Sequence, residues 1–223
     1  MTHAIFSFFA FALLLPANLL AQTLVFDNEA GGASGVDSFA LSSPGSFRTD
    51  DFVLGDTYRI TAVEWTGIYA SGDVPAADDF LIAIFDTDPD FVGPNSLVSS
   101  FDVGNAVNRL DSGFDDSSSR DIYDYTASIS FTANADQRYW VSMISNTPAG
   151  VQYFQGNVAG DPAGDPAGNS WRRFGISGSL DSTEDRLDFR LVGSAVPEPT
   201  GILPVLLASF MLLTTRNRGT GSP

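Results

Sequence analysis

The chain has no cysteine and no lysine, and its single histidine is His3. A Ser-His-Asp triad needs an imidazole to take the serine proton. His3 lies in a segment read below as a leader, so the rest of the chain offers none. Cysteine nucleophiles, lysine Schiff bases and thiolate or imidazole zinc sites are excluded in the same way. Without cysteine there are no disulfides, and an exported fold rests on its core alone. Two kinds of site chemistry remain open: carboxylate acid/base work and binding of hard cations by oxygen ligands.

Positive charge is also scarce. Among 223 residues, 27 acids face 11 bases, all of them arginine, for a net charge of −16. Binding to nucleic acid needs a basic face that releases counterions, so no nucleic acid partner is expected. Apolar residues make up 43% and aromatics 12%, enough for a sizeable core and too many for uniform disorder.

Long apolar runs occur only at the two ends. Residues 4–15 read AIFSFFAFALLL, followed by Pro16, Asn18 and the small Ala21. This predicts a secretory signal peptide over residues 1–21, cut between Ala21 and Gln22. At the other end Val196-Pro197-Glu198-Pro199 precedes GILPVLLASFMLL and then Arg216 and Arg218. A rigid break, a short apolar helix and a basic stop suit a transient transmembrane hold with the arginines left in the cytoplasm.

Pro197, Glu198, Pro199, the apolar stretch behind them and Arg216 with Arg218 together resemble the PEP-CTERM sorting signal of Gram-negative bacteria. The resemblance implies export, a temporary inner-membrane anchor over residues 196–218, and processing by an exosortase near the Pro-Glu-Pro. It also implies a secreted protein of the cell envelope or extracellular matrix, associated with exopolysaccharide and biofilm.

Between the labels, residues 22–195 read as one all-β domain, a β-sandwich or jelly roll. Short apolar runs alternate with Gly, Pro, Asn and Asp clusters, and helical periodicity is absent. Strands are expected over 23–27, 51–54, 58–69, 80–85, 97–103, 122–131, 138–145, 151–155, 170–174 and 187–192. Leu187, Phe189 and Leu191 alternate with Asp188 and Arg190, so one face of that strand is buried. Phe26-Asp27-Asn28, Asp50-Asp51-Phe52, Val63-Glu64-Trp65-Thr66-Gly67 and Tyr139-Trp140-Val141-Ser142-Met143 resemble ectodomains that precede this kind of tail; that likeness implies a sandwich and names no catalytic residue. Trp65 and Trp140 lie in strong strand patterns and are assigned to the core, and Asp50-Asp51 to a strand entry. The repeated Asp161-Pro162-Ala163-Gly164 and Asp165-Pro166-Ala167-Gly168 forbid helix and ladder pairing and are assigned to a surface loop.

Three groups of residues could carry chemistry. Asp86, Asp88 and Asp90 alternate and could converge on one Ca²⁺ if the chain turns there. An EF-hand is rejected, because Phe91 and Leu97 stand where its glycine and bidentate glutamate belong. An acidic hairpin turn explains the same residues. Trp171, Arg172 and Arg173 could stack on a sugar ring and hydrogen-bond its hydroxyls, although a tryptophan in a sandwich also belongs naturally in the core. A glycosidase would need two carboxylates at a set separation, and without the strand pairing none can be nominated.

The expectation is therefore a non-enzymatic, exosortase-sorted envelope or matrix protein. Two other readings stay open: a carbohydrate-binding module assisted by calcium, and a carboxylate-based glycan hydrolase.

Overall fold

A computed structural model describes residues 22–28, 38–70, 74–87, 93–147, 151–158, 170–182 and 186–197. Its axis is β4 (Tyr58–Tyr69). Along one side β4 pairs with β8 (Asp121–Ala133). Along the other it pairs first with β14 (Phe189–Ala195) and then, from Gly67 to Tyr69, with β10 (Tyr153–Val158). The sheet is completed by β7 (Asn108–Asp115) beyond β8 and β1 (Thr23–Asp27) beyond β14. Two short strands, β2 (Ser38–Leu41) and β13 (Arg186–Leu187), flank β10. This makes eight strands.

The second sheet has six strands. In spatial order they are β12 (Leu180–Ser182), β11 (Trp171–Arg173), β3 (Phe47–Val53), β9 (Arg138–Ser145), β5 (Phe80–Thr87) and β6 (Pro94–Gly104). All pairings in both sheets are antiparallel. The architecture is the β-sandwich expected from the sequence.

Side-chain alternation builds the core. In β8 Tyr125, Ala127, Ile129, Phe131 and Ala133 are buried while the residues between them face outward. In β9 Tyr139, Val141 and Met143 join the core between the sheets, and Trp140 and Ile144 pack on the opposite face with Phe47, Ala83 and Phe85. That is why β5 and β9 are apolar on both sides. Each large aromatic so buried contributes about 1.5–3 kcal/mol. Trp65 and Trp140 are core residues, at 3% and 0% exposure.

The topology gives the sandwich two distinct ends. Tyr58, the first residue of β4, pairs with Ala195 and Ala133, and the Val196 N–H donates to the Thr57 carbonyl. Thr23 pairs with Gly193 at the same end. At the far end of β4, Tyr69 pairs with Tyr153, and Gly67 with Tyr123 near the start of β8. Strand rise over β4 separates the two ends by about 36 Å.

Several boundaries differ from the sequence expectation. β3 begins at Phe47, so Asp50 and Asp51 lie inside a strand and are buried, where a strand entry was expected. They are tolerated because cations and N–H groups meet them, as described below. β7 was not anticipated: its polar sequence, NRLDSGFD, lies at the sheet edge, and its register to β8 shifts between Asp111 and Asp115. The short β2, β12 and β13 have too few residues to show a period. The strand expected over 151–155 starts at Tyr153 and runs on to Val158.

Candidate functional site

The far end of the sandwich is built from tyrosines. Gly67 leaves room for the Tyr153 ring; a Cβ at this position would lie 2.0 Å from the Tyr153 hydroxyl. Trp65 Nε1 donates to that hydroxyl at 2.9 Å. Phe80 packs edge-on against Tyr153 and Tyr125, with centroids 4.9 and 5.3 Å away. Tyr69 meets Tyr153 edge-on and lies 6.5 Å from Tyr123, tilted by 60°.

Polar groups fix these rings. The Tyr69 hydroxyl donates to Asp78 Oδ1 at 2.5 Å, and Arg109 Nη1 donates to the same oxygen at 2.9 Å. The Arg109 guanidinium sits 5.4 Å from the Tyr123 ring centroid and 6.0 Å from that of Tyr69. The Tyr123 hydroxyl donates to Asp121 Oδ2 at 3.1 Å. Burial, reinforced by the bond to Asp78, pushes the Tyr69 phenol far above its ordinary range. Burial and the bond to Asp121 raise Tyr123 as well. Both rings therefore stay neutral in ordinary buffers and keep their O–H donors.

Beside them the β7–β8 turn is locked by one carboxylate. Asp116 Oδ1 accepts the N–H groups of Ser118 and Arg120, at 2.9 and 2.8 Å. Its Oδ2 accepts Nε and Nη2 of Arg120, at 2.9 and 2.5 Å. The bonds from Arg120 hold the Asp116 carboxyl below the usual carboxylate range. Ser119 is forced to φ 58°, a left-handed conformation that costs a serine of order 1 kcal/mol. The result is a half-open cavity of about 100 Å³ lined by Tyr69, Val74, Ser119, Arg120, Asp121 and Tyr123.

The residues nominated from sequence lie elsewhere. Trp171 and Arg173 face the outer apolar cluster of the six-stranded sheet: Trp171 packs against it half-buried, and Arg173 is 7% exposed, its guanidinium 4.6 Å from the Phe85 ring centroid. Arg173 also donates to the carbonyls of Pro94 and Asn95. Arg172 points to the other face, where it pairs with Asp181 and covers the Phe174 ring. The three side chains are therefore not brought together on one surface. Asp86 is half-buried in β5 and accepts the Ser96 N–H at 2.6 Å; Asp88 and Asp90 lie outside the described residues. Among the described residues no three acids are grouped to hold a metal ion. Pro197 is exposed, whereas Glu198, Pro199, Arg216 and Arg218 lie outside the described residues, as do residues 1–21 and the 161–168 repeat.

Strand pairing also places carboxylates that sequence reasoning could not pair. Glu64 of β4 and Asp124 of β8 come from paired strands and share the outer face of the larger sheet, where Asp188, between β13 and β14, meets Thr66 of β4. Glu64 is bonded to Arg190 at 3.0 Å, and Thr66 donates to Asp188 at 2.5 Å. Burial raises the Asp124 carboxyl; Arg190 opposes this and Glu64 adds to it.

A second polar cluster joins the sheets. Asp50 accepts from Asn28 Nδ2, from the Leu187 N–H at 2.8 Å and from Arg186. Arg186 also lies 3.6 Å from Asp51, which is bonded to Arg138. Asp50, Asp51 and Arg186 are each no more than 1% exposed.

Fold and site together define a β-sandwich with a tyrosine-lined cavity at one end. No protein-family model matches the chain, and no curated protein matches it.

Proposed function

We propose that the protein is an exported, non-enzymatic component of the cell envelope or extracellular matrix, sorted by an exosortase-type system and associated with extracellular polysaccharide. The observation that carries this reading is the placement of the two junctions. β1 starts at Thr23, one residue past the expected leader cut, and β14 ends at Ala195, two residues before Pro197. These strands are neighbours, with Thr23 opposite Gly193. Gln22, Val196 and Pro197 are exposed. Exposure of these residues supports access by processing enzymes, and among the described residues every strand lies between Thr23 and Ala195.

The charge pattern supports the same reading. From Gln22 to Glu198 the chain holds 9 arginines and 27 acids, a net charge of −18. Arg109, Arg120, Arg138, Arg172, Arg186 and Arg190 are each paired with an acid of the same domain. The acids in excess keep the body soluble and repel acidic polymers. Mass spectrometry of the mature protein from its native cell tests the proposal. It should find an N-terminus at Gln22 and a C-terminus near Glu198, with a new anchor or glycan attached. A full-length chain in the cytosol would overturn it.

A further inference from the structure

We propose that β6 is a self-association edge: two copies of the chain join by antiparallel pairing of β6 with β6 about a two-fold axis. This goes beyond the sorting route proposed above and does not depend on it. Among the described residues β6 pairs only with β5, so the N–H and C=O groups along its other side face no strand. At 11 residues it is the longest of the described edge strands. Pro94 to Phe101 carry no charge, and Asn95, Ser96, Leu97, Val98 and Ser100 are exposed.

The other edges carry features that keep sheets apart. β7 holds Asp111 and Asp115 and has a register shift between them. β1 has five residues, ends in Asp27 and shifts register between Leu24 and Phe26. β2, β12 and β13 have four residues or fewer. β6 has one such feature, a register shift between Ile84 and Phe85 that leaves Val98 without a partner in β5. From Ser99 to Asp102 its ladder is regular.

Symmetry and charge make the occupant a second copy. An open edge accepts an extended strand, and β6 of another copy is one already formed, so little chain freedom is lost on pairing. Antiparallel self-pairing is isologous and closes at the dimer. Two bodies that each carry a net charge of −16 approach only where the facing surfaces lack acids. An axis at Ser100 sets Ser99 opposite Phe101, and Asp102 opposite Val98 of the second copy, so no acid faces an acid. A basic peptide would find only Asp102 on this strand. The edge runs about 36 Å and is twisted at Val98, which places the contact at the small end of specific interfaces, with a Kd of about 10–100 µM.

The chain has no cysteine, so one introduced thiol reports one position. The test is cross-linking of the full-length chain, in a mild non-ionic detergent, by a short bis-maleimide over a range of protein concentrations. Ser100→Cys places the thiols on the axis, with Cβ atoms about 5 Å apart. It should give a linked dimer, half-maximal at about 10–100 µM protein. Leu110→Cys on β7, at a residue 58% exposed, should give at least about tenfold less. Adding Val98→Asp to Ser100→Cys should cut the yield at least about tenfold, by setting an acid against Asp102 of the second copy. Adding Asp102→Asn should raise the yield, a gain that misfolding does not produce. Yield should also rise between about 0.05 and 0.5 M NaCl, because salt screens the repulsion between the two bodies. The proposal is overturned if Ser100→Cys links no better than Leu110→Cys. It is also overturned if Val98→Asp and Asp102→Asn both leave the yield unchanged, or if the yield falls with salt.

Discussion

Replacing Gly67 by alanine tests the packing at the tyrosine end directly. A Cβ at this position would lie 2.0 Å from the Tyr153 hydroxyl, 2.4 Å from Cζ and 2.6 Å from Cε2, where ordinary contact begins at 3.4 Å. The phenol ring must therefore move by more than an ångström, and β4 cannot retreat because it is paired on both sides. That movement breaks the 2.9 Å bond from Trp65 Nε1 and leaves a buried N–H unpaired, a loss of about 1–3 kcal/mol. Overpacking against Phe80, Tyr69 and Tyr125 adds about 1–3 kcal/mol more. A total of about 2–6 kcal/mol in a domain of this size lowers the melting temperature by roughly 4–24 °C. Thermal and urea unfolding followed by near-ultraviolet circular dichroism would measure it. Tyr153→Phe removes the same Trp65 bond, so the double variant should lose about 1 kcal/mol less than the sum of the single losses. If Gly67→Ala unfolds within about 0.5 kcal/mol of the parent, the close approach of Tyr153 to β4 does not exist and the reasoning fails.

Two further substitutions probe the buried charges. Burial pushes the Asp50 carboxyl from 3.8 to about 6, against the pull of Arg186 and of the Leu187 and Asp51 N–H groups. Because the folded state holds this proton more tightly, the group's contribution to stability is complete below 3.8 and is lost as pH rises through 6, a change of roughly 3 kcal/mol. Urea stabilities of the parent relative to Asp50→Asn should fall by that order between about pH 4 and pH 7, and a constant difference would contradict the assignment. Arg173→Ala removes a buried cation over Phe85 and two bonds to carbonyls, and should cost about 2–3 kcal/mol by chemical denaturation. Arg172→Ala, one residue away, breaks an exposed pair with Asp181 and should cost less than about 1 kcal/mol; equal losses would mean that the two side chains do not face opposite ways.

The fold was legible in the sequence where a face was continuously apolar. β1, β4 and β9 match their expected limits, because turn residues bracket an uninterrupted apolar or alternating pattern. β7 was hidden because an edge strand has no second neighbour to bury its side chains: Leu110 and Phe114 are more than half exposed, and Arg109 reaches inward to Asp78. The tyrosine cavity was hidden for a different reason. Tyr69, Ser119 and Tyr123 are brought together by pairing between β4 and β8, which no local pattern reports. One local signal was present: Asp116 and Arg120 stand four residues apart around three serines, a spacing that lets a carboxylate close a turn on its own arginine. Trp171 carried the expectation of sugar stacking because sequence cannot distinguish a half-buried indole on a covered sheet face from one on an open face.

Asp50 and Asp51 show why a chain without disulfides retains ionised groups in its interior. Hydrophobic burial between two sheets is nondirectional, so burial alone leaves freedom in how one sheet sits along the other. The cluster at β3 and β13 removes that freedom. Asp50, from the six-stranded sheet, accepts the backbone N–H of Leu187 in the eight-stranded sheet, and Arg186 beside it returns to both Asp50 and Asp51. Asn28, just past β1, donates both to Asp50 and to the Leu187 carbonyl. Any shift of one sheet along the other would strand a carboxylate and a guanidinium that have almost no access to water, a loss of about 3–5 kcal/mol for a broken buried pair. The raised pKa of Asp50 is the counterpart of this arrangement: desolvation outweighs Arg186 and the N–H donors, so the cluster adds little net stability near neutral pH. What it supplies is one relative placement of the two sheets. Because β4 belongs to the larger sheet and Phe80 of β5 to the smaller, the same constraint sets Phe80 against Tyr153 and Tyr125 at the tyrosine end.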